Sequence, residues 1–280
     1  MGQNLRYILF GCLACIALGH SNPTAAQTSC GAVVSLATHD RTTTRYSTVA
    51  AEEGQISLVL LVGGGGYLNL DANGCPRALA GNSLVRSRPH FHSAGFATAL
   101  VDAPSDHPGE DGLRGFRLSS KHATDLGIVI ADIRRRNKGP VWLVGTSRGT
   151  ISAANAAVRL TGSASADGLV LTSAVTSGGK GGKRPWAVQT VFDVRLETIR
   201  MPVLVIGHAA DNCPRTPPRL MNRITARTNG VREQVVTVTG GPGSKHTGLG
   251  ACQGRTPHGF IEQEAVVASG MARFIRGGSY

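Results

Sequence analysis

The feature that most constrains the fold is a short apolar segment that ends in a Gly-x-Ser-x-Gly pentapeptide. Val141 to Val144 has the composition of a buried strand, and Gly145-Thr146-Ser147-Arg148-Gly149 follows it directly. The residues from Thr150 to Ala157 are rich in alanine and favour a helix. A serine on a tight turn between strand and helix needs glycines on both sides, because the two backbones pass close to it. The pattern predicts a strand, a sharp turn that exposes Ser147, and a helix.

Apolar runs of strand length recur along the chain and alternate with helical patterns. The runs are continuous in Val, Ile and Leu, which is typical of a parallel sheet covered on both faces. This alternation predicts a doubly wound α/β domain with a mostly parallel sheet. The predicted buried strands are Ile56–Val62, Phe96–Val101, Val141–Val144, Gly168–Thr172, Met201–Ile206 and Gln234–Val238. The predicted helices are Ser119–Arg136, Ser147–Leu160, Pro217–Thr228 and Phe260–Ile275, and a leading antiparallel pair is predicted at Ala32–Leu36 and Thr43–Val49.

The start of the chain has the pattern of a secretory signal. Arg6 supplies the positive charge, Tyr7 to Gly19 the apolar core, and Thr24-Ala25-Ala26 a small-residue cleavage site. The apolar core is too short to span a bilayer, so we expect no stable membrane anchor. We expect residues 1–26 to be removed and residues 27–280 to form one domain in the periplasm or outside the cell. A lipoprotein motif at Leu9-Phe10-Gly11-Cys12 is the alternative, but it would leave almost no apolar core.

Cysteine usage agrees with export. Of the six cysteines, Cys12 and Cys15 leave with the predicted signal and four remain. An oxidising compartment permits disulfides, and four cysteines allow three pairings. We expect Cys30–Cys75 and Cys213–Cys252, because the second bridge would tie together the loops that carry the candidate acid and base below.

The chain is strongly basic, with a formal net charge of +12 at pH 7. Its arginines are scattered, without the interleaved aromatic residues of a nucleic-acid surface, so no nucleic-acid partner is expected. A solvated cationic surface is the favoured interpretation. The alternative is attraction of an anionic substrate or of the cell envelope.

Ser147 needs two partners to act as a nucleophile, since a serine hydroxyl requires a base and the base requires an orienting carboxylate. Asp211 stands a few residues after the predicted strand Met201–Ile206 and is the candidate acid. Two histidines after the last predicted strand compete for the role of base. His258 immediately precedes the predicted terminal helix and is preferred, while His246 lies nearer to the strand and remains the rival.

A run of four glycines, Gly63 to Gly66, follows the predicted strand Ile56–Val62. Glycine lets a backbone approach a substrate closely, and the run completes neither a dinucleotide nor a phosphate-binding motif. Acyl transfer needs N–H donors for an oxyanion. We expect these donors from Arg148 and from Gly64 or Gly65. No cofactor is implied.

Tyr67, directly after the glycines, and Trp186 are expected to border the substrate. Only about 30 residues separate the two strands that flank Trp186, which is too few for a separate cap domain. We therefore expect a basic loop, a short helix near Trp186 and an open site. The expected cations around it are Arg148, Lys180, Lys183 and Arg184. His90-Phe91-His92 has no acidic or cysteine ligand nearby, so no metal is assigned.

The pentapeptide around Ser147, the glycine run and the order of Asp211 and His258 make the chain resemble the α/β-hydrolase superfamily from about Ile56 onward. In that superfamily the order is Ser, acid, His, and the histidine stands just ahead of the last helix, which favours His258. The chain departs from the common pattern in carrying Val62-Gly63 where His-Gly is usual. It also resembles a group of exported bacterial hydrolases that share the segments Asn82–Arg88, Trp142–Thr150 and His258–Phe260.

The resemblance implies an exported serine hydrolase, with carboxylic esters as the expected substrate class and an acyl-enzyme as intermediate. The expected partner is a small-molecule ester, either neutral or anionic. A small-peptide hydrolase of the same fold is the first alternative. A non-catalytic module that binds an envelope ligand is the second, since a fold does not guarantee a function. The sequence gives no indication of the oligomeric state.

Overall fold

A computed structural model describes residues 1–2, 30–49, 52–179 and 184–280 of the protein. Its strands are β1 Ala32–Ala37, β2 Thr43–Thr48, β3 Ser57–Leu61, β4 Ala97–Val101, β5 Val141–Thr146, β6 Gly168–Thr172, β7 Val203–His208 and β8 Glu233–Val238. They form one eight-stranded sheet in the order β1-β2-β4-β3-β5-β6-β7-β8. The leading pair β1 and β2 is antiparallel, as expected, and β3 to β8 run parallel to one another. The sheet confirms the predicted doubly wound α/β fold.

Helices cover both faces of this sheet. They are α1 Ser83–Ser93, α2 Ser120–Asn137, α3 Gly149–Arg159, α4 Asn222–Thr225 and α5 Glu264–Ile275. Successive strand side chains point to opposite faces, so Leu58 and Leu60 of β3 pack with α1 and α5, whereas Val59 and Leu61 pack with α2 and α3. All residues of β3 to β7 are buried, which explains their continuous apolar composition.

The sheet topology determines where a site can form. The glycine run follows β3, Ser147 follows β5, and the segment with Asp211 follows β7. Because these strands are parallel, their carboxyl ends lie at the same edge of the sheet. Three segments that are distant in sequence therefore meet at one edge.

Two of the predicted helices were wrong in extent. The stretch Pro217–Thr228 contains only a 3₁₀ turn, Pro218–Leu220, and the short α4. The N–H groups of Leu220 and Met221 bond to the carbonyl oxygens three residues back, those of Pro217 and Pro218, which is the pattern of a 3₁₀ turn. At the other end of the chain, α5 begins at Glu264 rather than at Phe260, because Phe260 and Glu262 have φ angles of 53° and 59°. A left-handed backbone at these positions cannot belong to the helix.

Helix α1 was not predicted. It begins after Asn82, whose side chain accepts a hydrogen bond of 3.0 Å from the N–H of Leu84. Its interior holds Pro89 and the buried Arg88, so it lacks the apolar stripe by which helices are identified. The guanidinium of Arg88 donates to the carbonyl oxygen of Cys30 at 2.7 Å, which lets a charged side chain face the sheet.

Between β6 and β7 the described residues form short 3₁₀ turns, including Pro185–Val188 around Trp186. This agrees with the expected short helix and with a fold that has little or no cap. Lys180 and Lys183, expected to border the site, lie outside the described residues, as does the predicted signal from Arg6 to Ala26.

Both disulfides are present with the expected pairing, Cys30–Cys75 and Cys213–Cys252. The first joins the start of β1 to the segment after the glycine run, and the second joins the segment after β7 to the one that precedes α5. In the part of the chain that the structure describes, no helix has both the length and the apolar character needed to cross a membrane.

Candidate active site

Ser147 lies on a strained turn between β5 and α3. Its φ angle is +52°, which is unfavourable for a residue with a side chain. The flanking glycines make the turn possible. A Cβ on Gly145 would stand 2.7 Å from the carbonyl oxygen of Gly149, and a Cβ on Gly149 would collide with the carbonyl of Leu61 in β3. The pentapeptide is thus required by close backbone contacts that raise Ser147 above the end of the sheet.

Asp211 and His258 meet at this end of the sheet. Nδ1 of His258 lies 3.0 Å from Oδ2 of Asp211, and both side chains are buried. The other carboxylate oxygen, Oδ1, accepts a hydrogen bond of 2.9 Å from the N–H of Cys213. The backbone of His258 is fixed as well, since the hydroxyl of Ser173 donates to its carbonyl oxygen at 2.7 Å. The acid and the imidazole are therefore held in one orientation.

Thr216 is a third member of this cluster and was not among the predicted site residues. Its hydroxyl donates to Oδ2 of Asp211 at 2.8 Å and lies 3.0 Å from Nδ1 of His258. The side chain is buried. In the sequence, Thr216 is distinguished only by its position five residues after Asp211. Threonines are common in loops, so this position alone does not indicate a role.

The second ring nitrogen of His258, Nε2, is buried and has no hydrogen-bond partner among the described residues. Ser147 and His258 line the same cavity of about 370 Å³. Gly63 and Gly64 form the wall next to the serine; an added Cβ on Gly63 would stand 2.8 Å from Cβ of Ser147. The lining also includes residues that precede or begin α1 and residues that precede α5, namely Gly81, Asn82, Ser83, Cys252, Gln253, Gly254 and Arg255.

The two glycines expected to supply an oxyanion donor lie in different environments. Gly64 is exposed, has a φ of +56° and lines the cavity of Ser147. Gly65 is buried beneath it, does not line that cavity, and accepts a hydrogen bond of 2.8 Å from the N–H of Leu113. In the described structure the N–H groups of Gly64 and Arg148 have no hydrogen-bond partner. Gly64 is therefore better placed than Gly65 to donate its N–H to an oxyanion in the cavity of Ser147.

Arg117, which was not among the predicted site residues, holds the glycine run through hydrogen bonds to its backbone. Only 1% of its surface is exposed. One guanidinium nitrogen donates to the carbonyl oxygens of Val62 and Gly64, both at 3.2 Å, and another donates to the hydroxyl of Ser152 in α3 at 2.7 Å. Burial, together with the positive charge of Arg148, lowers the pKa of Arg117. A single buried side chain thus connects the glycine run to the helix that follows Ser147.

The expected aromatic residues line a second cavity, of about 500 Å³, beside that of Ser147. Tyr67, Trp186 and Arg148 are in its wall, and it shares Gly64 and Leu79 with the first cavity. The guanidinium of Arg148 lies 4.0 Å from the ring centroid of Trp186, a cation–π contact. The two cavities are adjacent, so this aromatic surface is within reach of a substrate bound at Ser147.

The charges in the second cavity are partly balanced. Burial is the main cause that lowers the pKa of Arg148 to about 10, and the nearby Arg215 and Arg184 add to it, while Asp111 opposes it. Arg148 is therefore charged at neutral pH. Arg184 lies 3.5 Å from the carboxylate of Asp111, so part of its charge is neutralised.

Among the described residues, Asp211 contacts His258, whereas no hydrogen bond joins it to the rival base His246. His246 is exposed, and its backbone N–H donates a hydrogen bond of 3.1 Å to Oγ of the neighbouring Ser244. The Cys213–Cys252 bridge instead links the acid loop to the cavity wall near His258. Asp211, Cys213 and His258 are close enough to share a metal ion, but the sulfur of Cys213 is already bonded to Cys252.

No protein-family model matches the sequence, and no curated protein matches it. Solved structures share its fold. The esterase Pf2001 from Pyrococcus furiosus has a TM-score of 0.60 and 11% identity, over 87% of this chain and 91% of its own. The esterase RhEst1 from Rhodococcus sp. ECU1013 has a TM-score of 0.57 and 15% identity, over 88% of this chain and 99% of its own.

An α/β serine hydrolase homologue from Coxiella burnetii is similar to the same degree, with a TM-score of 0.56, 13% identity, and coverage of 90% of this chain and 100% of its own. Identities this low show a common fold and leave the activity to be argued from the site. The chain has the α/β-hydrolase fold, as its sequence motifs predicted.

Proposed function

We propose that the protein is a serine hydrolase that cleaves small carboxylic esters through an acyl-enzyme. One observation carries the proposal: Asp211 orients Nδ1 of His258, while Nε2 of that ring is left without a partner in the cavity that Ser147 also lines. A buried, oriented imidazole with one free nitrogen beside a serine on a strained turn is the arrangement that activates a hydroxyl.

In the first half-reaction, Oγ of Ser147 attacks the ester carbonyl carbon and its proton passes to Nε2 of His258. Asp211 stabilises the imidazolium that forms, with Thr216 and the N–H of Cys213 holding the carboxylate. The tetrahedral intermediate then collapses. The bond to the alcohol oxygen breaks, His258 returns its proton to that oxygen, and the acyl group stays on Ser147.

In the second half-reaction, water attacks the acyl-enzyme and gives a proton to His258. Collapse of the second intermediate releases the carboxylic acid, and the proton returns to Ser147. In both halves the negative oxygen needs donors, and the free N–H groups of Arg148 and Gly64 are our candidates. Removing one such donor typically costs about 100- to 1,000-fold in kcat.

Esters are favoured over peptides because several solved structures that share the fold are esterases, and because the cavity at Ser147 is small. Peptide hydrolysis is the second candidate. The glycine-lined wall and Asn82 offer backbone and amide groups that could hold an extended main chain. We further propose that the chain is exported, since its predicted signal and its two disulfides both suit an oxidising compartment.

The proposal is tested by comparing the rates of hydrolysis of two substrate classes. One is a series of p-nitrophenyl esters of increasing acyl length, and the other is a set of aminoacyl p-nitroanilides. We expect turnover of the short esters, loss of that turnover in Ser147→Ala, and wild-type rates in Ser120→Ala, which changes an exposed serine on α2. Faster cleavage of the anilides would favour the peptidase. A folded protein that turns over neither class would favour a binding module.

A further inference from the structure

A second cluster of potential ligands lies away from the Ser147 cavity. His39 stands between β1 and β2, and Asp106 and His107 follow β4. Nε2 of His39 is 3.1 Å from Oδ2 of Asp106, and Nε2 of His107 is 3.8 Å from the same oxygen. All three ligand atoms lie within 4.8 Å of one another. The proposed reaction uses none of them.

These distances suit a first-row divalent metal. A tetrahedral ion with bonds of about 2.0–2.1 Å to nitrogen and oxygen places its ligand atoms about 3.3 Å apart. The two separations above bracket that value. Two imidazoles and one carboxylate form a ligand set typical of zinc, with a fourth position left for water. Asp106 and His107 also line an open hollow of about 660 Å³, which leaves room for that water.

The surroundings of His39 are those of a metal-bound imidazole. Its Nδ1 lies 2.7 Å from Oδ2 of Asp125 in α2, and the other oxygen of Asp125 accepts from the N–H of His39 at 3.0 Å. The side chain of Asp125 is 1% exposed and that of His39 is 7% exposed. A carboxylate on one ring nitrogen fixes the tautomer and directs the other nitrogen toward a metal. Asp106 and Asp125 together balance the charge of a divalent cation.

We propose that His39, Asp106 and His107 bind one Zn²⁺ ion, with Asp125 orienting His39. The ion would join the β1–β2 turn to the segment that follows β4. That segment continues to Leu113, whose N–H donates to Gly65 in the glycine run. The expected consequence is stabilisation of the fold on the side that supports the glycine run, with no part in bond cleavage.

Two titrations of the untagged, metal-free protein test this site. Binding of Co²⁺ is followed by its visible ligand-field absorption, and binding of Zn²⁺ is followed by calorimetry and thermal unfolding. We expect one ion per chain and a higher Tm with metal. His107→Phe keeps the ring stacked on Phe116, whose centroid is 4.1 Å away, but removes the ligand. It should weaken binding at least tenfold, as should His39→Ala, whereas His90→Ala on exposed α1 surface should bind normally.

His258→Ala provides the second control, because Asp211 and His258 belong to the other group of potential metal ligands found among the described residues. Binding that survives in His258→Ala and is lost in His107→Phe supports the site. The site would be overturned if binding is lost only in His258→Ala, or if it is unchanged in both His39→Ala and His107→Phe. It would also be overturned if the folded wild-type protein binds no metal. In the last case His39 is a hydrogen-bonded bridge between two carboxylates and nothing more.

Discussion

At the scale of residues, the Asp211 carboxylate is held by three donors: the N–H of Cys213, the hydroxyl of Thr216 and Nδ1 of His258. Multiple donors stabilise the ionised carboxylate and fix its direction. The orientation of His258 therefore depends on residues that never touch a substrate. Thr216 is such a positioning residue, since its hydroxyl lies within 3.0 Å of both partners.

We predict that Thr216→Val lowers kcat while leaving KM nearly unchanged. The substitution keeps the shape of the side chain and removes a hydrogen bond to a charged group, a contribution of about 1.5–3 kcal/mol. That range corresponds to a loss of about 10- to 100-fold if it acts on the transition state. Steady-state kinetics on a short ester measures it. Thr228→Val is the matched control, because that buried threonine bonds to Glu233 instead. Equal kcat in the two variants would contradict the positioning role.

At the scale of elements, Arg117 connects the glycine run to α3 through hydrogen bonds. We predict that Arg117→Met reduces kcat more than it raises KM, because the carbonyls of Val62 and Gly64 lose their common donor and the N–H of Gly64 loses its fixed direction. Arg114→Met, on an exposed neighbour in the same segment, is the control. A folded Arg117→Met protein with wild-type kcat would show that the glycine run holds its shape without this residue.

The two disulfides allow a matched comparison. Each closes a loop of similar length, 39 residues for Cys213–Cys252 and 45 for Cys30–Cys75. In the chain-entropy model each contributes about 4 kcal/mol to the free energy of unfolding. We predict that replacing both cysteines of either bridge by serine lowers the Tm to a similar extent. Only the pair at Cys213 and Cys252 should also lose kcat, because that bridge joins the acid loop to the cavity wall. Equal kcat losses, or none in either, would contradict this.

The sequence predicted the elements whose local pattern agrees with their packing. The central strands are apolar throughout because both faces of the sheet are covered. The turn at Ser147 needs glycines for steric reasons, and this requirement is readable from the pentapeptide alone. Helix α1 escaped prediction because its buried residues include Arg88, whose charge is satisfied by a carbonyl from a distant segment. The roles of Thr216 and Arg117 were hidden for the same reason, since their partners are brought together only by the fold.

At the scale of the whole molecule, the formal charge of +12 bears on substrate choice. Arg255 lines the cavity of Ser147 and, among the described residues, has no ion-pair partner. Arg148 lies in the adjacent cavity with its charge on the face of Trp186. An anionic acyl group would therefore meet a positive charge in either cavity.

We predict that carboxylate-bearing esters have a higher kcat/KM than neutral esters of equal length, and that added salt reduces the difference. Exposed charges are screened over about 10 Å at 0.1 M salt. Arg255→Gln should reduce the preference several-fold, whereas Arg219→Gln, at an exposed residue that lines neither cavity, should not change it. Equal kcat/KM for both ester classes at all salt concentrations would show that these charges are merely solvated, and it would leave the esterase proposal intact.

Covalent labelling tests whether Ser147 is a nucleophile that His258 activates. The folded protein is treated with a fluorophosphonate, and the adduct is located by intact mass and peptide mapping. We predict one adduct per chain, on Ser147, absent from Ser147→Ala and formed far more slowly in His258→Ala, while His246→Ala labels at the wild-type rate. An unlabelled wild-type protein, or an adduct that persists in Ser147→Ala, would show that Ser147 is not the activated nucleophile.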